Sequence, residues 1–218
     1  MNTDYRNTPF SPVLEGVKEK KRAMEEKIRR EHPRAKIFYN FIRKRGSAYH
    51  KEFAGIYCNK CAYCGAKWGL LPVESFEIDH FINEASFPDT LAGRAEAGRA
   101  DNLVWSCVTC NRGKLGLFIT APYDMILCAD NGSIAKVFFR DEGFAIHICD
   151  TYANDPFIQN FFHALHLDHE ARRLDYLVLM LDEMCQKEKD EERRNKLRSI
   201  QLNILKKRNM TVTTGETA

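Results

Sequence analysis

Two Cys-x2-Cys pairs, Cys61-Ala-Tyr-Cys64 and Cys107-Val-Thr-Cys110, constrain this chain more than any other feature. Each pair can bring two thiolates to one side of a tight turn, and two such turns complete a tetrahedral four-sulfur site. Gly65, directly after the first pair, suits the backbone angle that such a turn demands. The pairs therefore predict a bound zinc ion. A closed four-sulfur site has no vacant coordination position, so this zinc is structural and chemistry must come from elsewhere. The pairs are separated by 42 residues, more than a simple zinc ribbon uses, so a further element is inserted between them. Cys58 overlaps the first pair as Cys58-x2-Cys61. Cys61 and Cys64 are preferred because CAYC is followed by glycine and CNKC is not. Cys128, Cys149 and Cys185 sit in apolar runs and read as core residues.

Composition narrows the class. Hydrophobic residues make up 44% of the 218, enough for a real core, and no run of 18 apolar residues suggests a membrane span. The start, MNTDYRNTPFSPVLEG, lacks a basic segment followed by an apolar one, which argues against a secretory signal. With eight cysteines, that points to a reducing, cytoplasmic setting where paired cysteines hold metal more often than they form disulfides. The net charge of +3 is unevenly spread. Residues 1–60 hold 15 Lys and Arg against 7 Asp and Glu, and the remainder hold 18 against 23. A basic first third suits an electrostatic footprint for phosphates, although a solvated helix face would look the same.

Four segments follow. Residues 1–56 read as a basic helical extension, with two helices separated at His32-Pro33, because proline disfavours helix in the residue before it. The second, AKIFYNFIRKR, places Ile37, Phe38, Phe41 and Ile42 on one stripe. Residues 57–120 hold the cysteine pairs. Residues 121–150 read as β-rich, with MILCA, IAKVFFR and FAIHIC as short strands between Asp130-Asn131-Gly132 and Asp141-Glu142-Gly143 turns. Residues 151–218 read as helical, with Leu174, Leu177, Val178, Leu181 and Met184 at helical spacing and a charged continuation into a polar tail. His163, His166 and His169 recur every three residues on this expected helix and read as structural.

Between the cysteine pairs lie Phe76-Glu77-Ile78-Asp79-His80 and Asp101-Asn102-Leu103, and Asn111-Arg112-Gly113-Lys114 follows the second pair. This combination, CxxC…IDH…NL…CxxCN..K, resembles the zinc-containing HNH endonucleases over roughly residues 58–118. The resemblance implies an α+β fold: a ββα-metal core with a four-cysteine zinc site, flanked by terminal helices and a small β-hairpin. It makes His80 the general base and Asn102 the residue that braces the loop and orients it. It makes Asp79 and Asn111 the protein ligands of a catalytic ion. Asn111 stands where many members carry histidine, so the chain is an HNN variant. An amide oxygen in place of an imidazole shifts preference toward Mg2+ or Mn2+. Arg112 and Lys114, on the helix expected to carry Asn111, could contact flanking phosphates. Glu77 shares the face of Asp79 and reads as a structural hydrogen-bonding partner. Adjacent strand residues point oppositely, so Asp79 and His80 can serve one site only if the strand ends or bends there. Asp79→Ala is expected to leave the fold intact.

The implied substrate is nucleic acid, with DNA favoured over RNA. The layout of compact core, β-rich segment and helical end is also similar to the nuclease subunits of Septu-type and retron-associated antiphage systems, which work beside an ABC-type ATPase. Two readings compete: a non-catalytic zinc module that binds nucleic acid, and a partner-recruiting adaptor with a degenerate nuclease core. The loop at 83–101, small-residue-rich with Arg94 and Arg99, reads equally as substrate-facing or as a surface insertion.

Overall fold

The computed structural model describes residues 4–70 and 75–214, with side chains to 211. It is an α+β structure of helices and two small antiparallel sheets. Helix α1 (Val17–Glu31) buries Val17, Lys21, Met24 and Ile28, spaced four, three and four apart, which puts them on one stripe. It ends before His32-Pro33, as the proline requires. The rest of the basic extension departs from expectation. The stripe around Phe38 yields only a one-turn helix, α2 (Tyr39–Ile42), and α3 (Ala48–Ile56) follows, with the Ser47 side chain accepting from the His50 amide.

Strands β1 (Phe76–His80) and β2 (Leu103–Cys107) pair antiparallel with Ile78 opposite Trp105 and His80 opposite Leu103. Between them runs a folded connection rather than an open loop. Its helix α4 (Leu91–Ala97) is capped by the Thr90 hydroxyl, which accepts from the Gly93 amide. Helix α5 (Val108–Lys114) follows β2 without a linking residue. Trp105 anchors this unit: it is fully buried, stacked on Phe76 at 5.5 Å and met edge-on by His50 at 5.0 Å.

The 121–150 segment is less β-rich than its sequence suggests. MILCA falls in a one-turn helix, α6 (Tyr123–Ile126), and the turn beyond it. Only β3 (Phe138–Arg140) and β4 (Ile146–Ile148) form a hairpin, around the expected Asp141-Glu142-Gly143 turn. Helix α7 (Pro156–Ala164) starts at an Asp155 cap with proline in its first turn. The expected continuous C-terminal helix is instead a hairpin of α8 (Glu170–Lys187) and α9 (Glu191–Thr214). It breaks at 188–190, where the Asp190 carboxylate accepts from the Arg193 amide and so caps the new helix. An Asp in a run of alternating charges carries no distinct signal by composition, and its capping role appears only with the backbone in place. The three histidines are not on one helix: His163 lies in α7, His166 in a turn with φ of 52°, and His169 at the residue before α8, without a side-chain capping bond. Among the described residues, no helix is long and apolar enough to cross a membrane.

Candidate metal centre and adjoining cavity

Candidate functional side chains cluster at both ends of the hairpin. At the first end, Cys61, Cys64, Cys107 and Cys110 bring their sulfurs to within 4.8 Å of one another, all buried, and could hold a metal ion such as zinc. Cys107 closes β2 and Cys110 sits one turn into α5, so the strand-to-helix junction forms the second knuckle. The first knuckle needs Gly65. Its φ of 79° lies in the left-handed region, and a Cβ there would stand 2.5 Å from the Arg6 carbonyl oxygen. Cys58 lies outside the cluster, in the turn that ends α3. Hydrogen bonds from the other three thiols hold Cys107 well below the ordinary thiol range.

Arg172, on α8, completes this end. Its guanidinium donates to Cys64 and Cys110 Sγ at 3.4 Å and to Cys107 Sγ at 3.8 Å, while the side chain is buried. Burial opposes its charge, yet the facing thiols keep it more firmly protonated than usual. Four thiolates around a dication carry a net charge of −2, and a buried guanidinium offsets part of it. Nothing in the sequence marks Arg172, which lies 62 residues from the nearest cysteine of the cluster and beside an ordinary Arg173.

At the other end, Asp79, His80, Asn111 and Lys114 line one cavity of about 220 Å3 with Tyr39 and Glu84. Strand alternation puts Glu77 and Asp79 on the face against α5. There the Asn111 amide donates to Glu77 Oε2 at 2.8 Å, and Lys114 Nζ lies 3.3 Å from Asp79 Oδ1. Residues two apart on a strand span about 7 Å and residues three apart on a helix rise about 4.5 Å, so long side chains can pair the two elements in register. Gly113 allows the helix to sit this deep: a Cβ there would meet the Ala164 carbonyl oxygen at 1.9 Å. Asp79 also accepts from the Tyr63 hydroxyl at 2.6 Å. Burial pushes its carboxyl up to about 6, against the lowering effects of Lys114 and Tyr63.

His80 ends β1, so it reaches the cavity although it alternates away from Asp79. Its ring lies 4.5 Å from that of Tyr39, and burial favours the neutral imidazole by lowering its pKa. Asn102 braces the turn that follows. Its Oδ1 accepts from the Ile82 amide at 2.8 Å, and its Nδ2 donates to the carbonyls of Ile82 and Ala97 at 3.0 and 2.8 Å.

Two expectations change. Lys114 is not poised for a phosphate: it is 2% exposed, and its ammonium is committed to Asp79 and to the carbonyls of His80 and Phe81. It braces the strand end from inside, while Arg112, two residues earlier on the same helix, is exposed. Nor can loss of the Asp79 carboxylate be structurally silent, because it would strip a buried ammonium of its counter-charge. Tyr63 was not anticipated either. It lies inside the first knuckle and carries the knuckle's backbone to the carboxylate in the cavity.

The cavity's donors suit a hard, oxygen-ligated cation. With its Nδ2 engaged by Glu77, Asn111 retains Oδ1 as an acceptor, and Asp79 offers a carboxylate whose burial only Lys114 and Tyr63 offset. Two protein oxygens with water or phosphate in the other positions is a common magnesium arrangement. Comparisons of the chain with protein-family models, curated proteins and solved structures return no match.

Proposed function

We propose that the chain is an HNH-type nuclease that hydrolyses phosphodiester bonds of nucleic acid, DNA in particular. One observation carries this reading. A histidine with a favoured neutral form, a buried carboxylate and an amide oxygen meet at one cavity on a hairpin-and-helix unit. The non-catalytic readings account for the cysteine cluster but leave that convergence without a purpose.

In this reading the cysteine cluster holds structural zinc, and Asp79 and Asn111 hold Mg2+ or Mn2+. A bound ion of this kind would polarise the phosphate and stabilise the departing oxygen. The side chains do the rest. Neutral His80 accepts the proton of the attacking water, a task suited to an imidazole whose charged form burial disfavours. Tyr39 packs on the ring, Lys114 fixes the His80 carbonyl, and Asn102 prevents the turn beyond it from opening. Arg112 is the exposed cation of α5 available to a phosphate.

The layout further proposes an ABC-type ATPase partner of the antiphage kind, with the α8–α9 hairpin as the docking element. Exposed Ile200 and Leu202 on α9 support this, and co-purification with such a subunit is its test. The central test is incubation with plasmid and Mg2+, with and without EDTA. Cleavage that EDTA abolishes and that His80→Ala reduces by roughly a thousandfold is expected, as for loss of a general base combined with lost orientation. Equal cleavage by His80→Ala would sink the mechanism.

A further inference from the structure

A second, larger cavity of about 700 Å3 adjoins the catalytic one, and Tyr39, Ile78 and Asn111 line both. Its rim is made by Arg43, Lys44 and Arg45, three consecutive exposed cations at the end of α2, and its floor by buried residues including His50 and Phe76. Glu77 is the one carboxylate among its described lining residues. Arg45 reaches that carboxylate only at 3.4 Å, and the Arg43 guanidinium lies 5.6 Å over the Tyr39 ring. Among the described residues, no carboxylate lies within ion-pair distance of Arg43 or Lys44. Several cations elsewhere are paired with a neighbouring carboxylate. On α9, for instance, Lys196 pairs with Glu192. A concave channel whose rim carries two cations without a carboxylate partner and a third in a long ion pair concentrates a polyanion and guides it inward.

Resting on the nuclease reading above, we propose that this channel is the track for the substrate strand. Arg43, Lys44 and Arg45 take backbone phosphates flanking the one at His80, and Tyr39 marks the passage from channel to cavity. The basic balance of the first 60 residues thus has its working part in three of its fifteen cations. The contacts are to phosphate, so they position the strand without reading its bases.

The test uses the full zinc-loaded chain with His80→Ala as background, which binds without cutting, and labelled duplex and single-stranded DNA oligonucleotides. Affinity is measured between about 50 and 200 mM salt, a range over which phosphate contacts change binding strongly. The slope of log affinity against log salt is compared for the parent, for Arg43→Gln/Lys44→Gln/Arg45→Gln, and for a control, Arg193→Gln/Lys196→Gln/Arg198→Gln on α9. Each lost phosphate contact reduces the slope by about 0.9 on duplex and 0.7 on single strand, so the channel variant should lose roughly 2 to 3. The control should lose nothing. If the triple variant does not fold, Lys44→Gln alone should lose a single increment.

An unchanged slope in the channel variant, an equal loss in the control, or no binding by the parent each overturns the channel. If the slope falls as expected but wild type never cleaves plasmid, the channel stands as a nucleic-acid site and the nuclease reading fails. If wild type cleaves while the channel variant binds like the parent, the nuclease reading stands and the channel fails.

Discussion

The two ends of the β1–β2–α5 unit behave as opposites. At the cysteine end, four sulfurs and a guanidinium are buried and face one another, with every group answered by a neighbour. At the other end, carboxylate, imidazole and amide line a cavity, and the carboxyl sits near 6 because burial outweighs its partners. The difference is one of satisfaction. A closed set of soft donors contributes stability, whereas an incompletely compensated set of hard donors is available for chemistry. Tyr63 and α5 tie the ends together, since one knuckle residue bonds Asp79 and one helix carries both Cys110 and Asn111.

Breaking the closed end should have the largest effect. Cys107→Ser is expected to lose the metal and about 4 kcal/mol or more of stability, a drop in Tm of roughly 8–16 °C at this length. Zinc content and thermal unfolding check it, and unaltered zinc stoichiometry would transfer the ligand role, first to Cys58.

The open end should respond in activity before stability. Asp79→Asn keeps the shape and a partner for Tyr63 but removes the anionic oxygen. Cleavage should fall about a hundredfold, equivalent to about 2.7 kcal/mol in the barrier. Stability should fall by about 2 kcal/mol, less than for a fully broken buried pair because Lys114 keeps two carbonyl acceptors. Wild-type rates and magnesium affinity would remove Asp79 from the site.

Arg172→Met tests whether the closed end depends on its guanidinium. The volume is roughly kept and the donors to three sulfurs are lost. A cost of about 2 kcal/mol is expected, together with faster zinc release to a chelator. Release at the wild-type rate would show that four cysteines suffice.

The smallest effect is a pH slope. His50, on the floor of the basic channel, is buried with both ring nitrogens unpartnered, and burial, assisted by Arg45, lowers its pKa. The unfolded chain then takes up a proton first as pH falls, so this contribution is intact above about 6.5 and is lost on acidification through the folded value. His50→Phe should flatten the decline in stability as pH falls below about 6.5, relative to wild type. A parallel decline in the two proteins would contradict it.

Much of this organisation is legible in the residues. The cysteine spacing specifies which four sulfurs meet, because a two-residue gap confines each pair to one turn and the glycine after Cys64 favours that pair over the one beginning at Cys58. Asp79, His80, Asn102 and Asn111 are likewise recognisable as a combination, and the helix end at His32-Pro33 follows from proline sterics. Short apolar runs are more ambiguous. MILCA satisfies a strand pattern yet forms a helical turn, since so short a stretch takes the conformation its packing selects. Only the tertiary structure decided that Lys114 points inward, that Tyr63 joins the knuckle to the carboxylate, that Arg172 faces the sulfurs, and that Arg43–Arg45 rim the channel. These roles depend on which groups lie opposite each other across long stretches of chain. A lysine or arginine looks the same in sequence whether its partner is water, a carbonyl, a thiolate or a phosphate. Local spacing determined the cysteine knuckles, and burial and long-range contact determined what surrounds them.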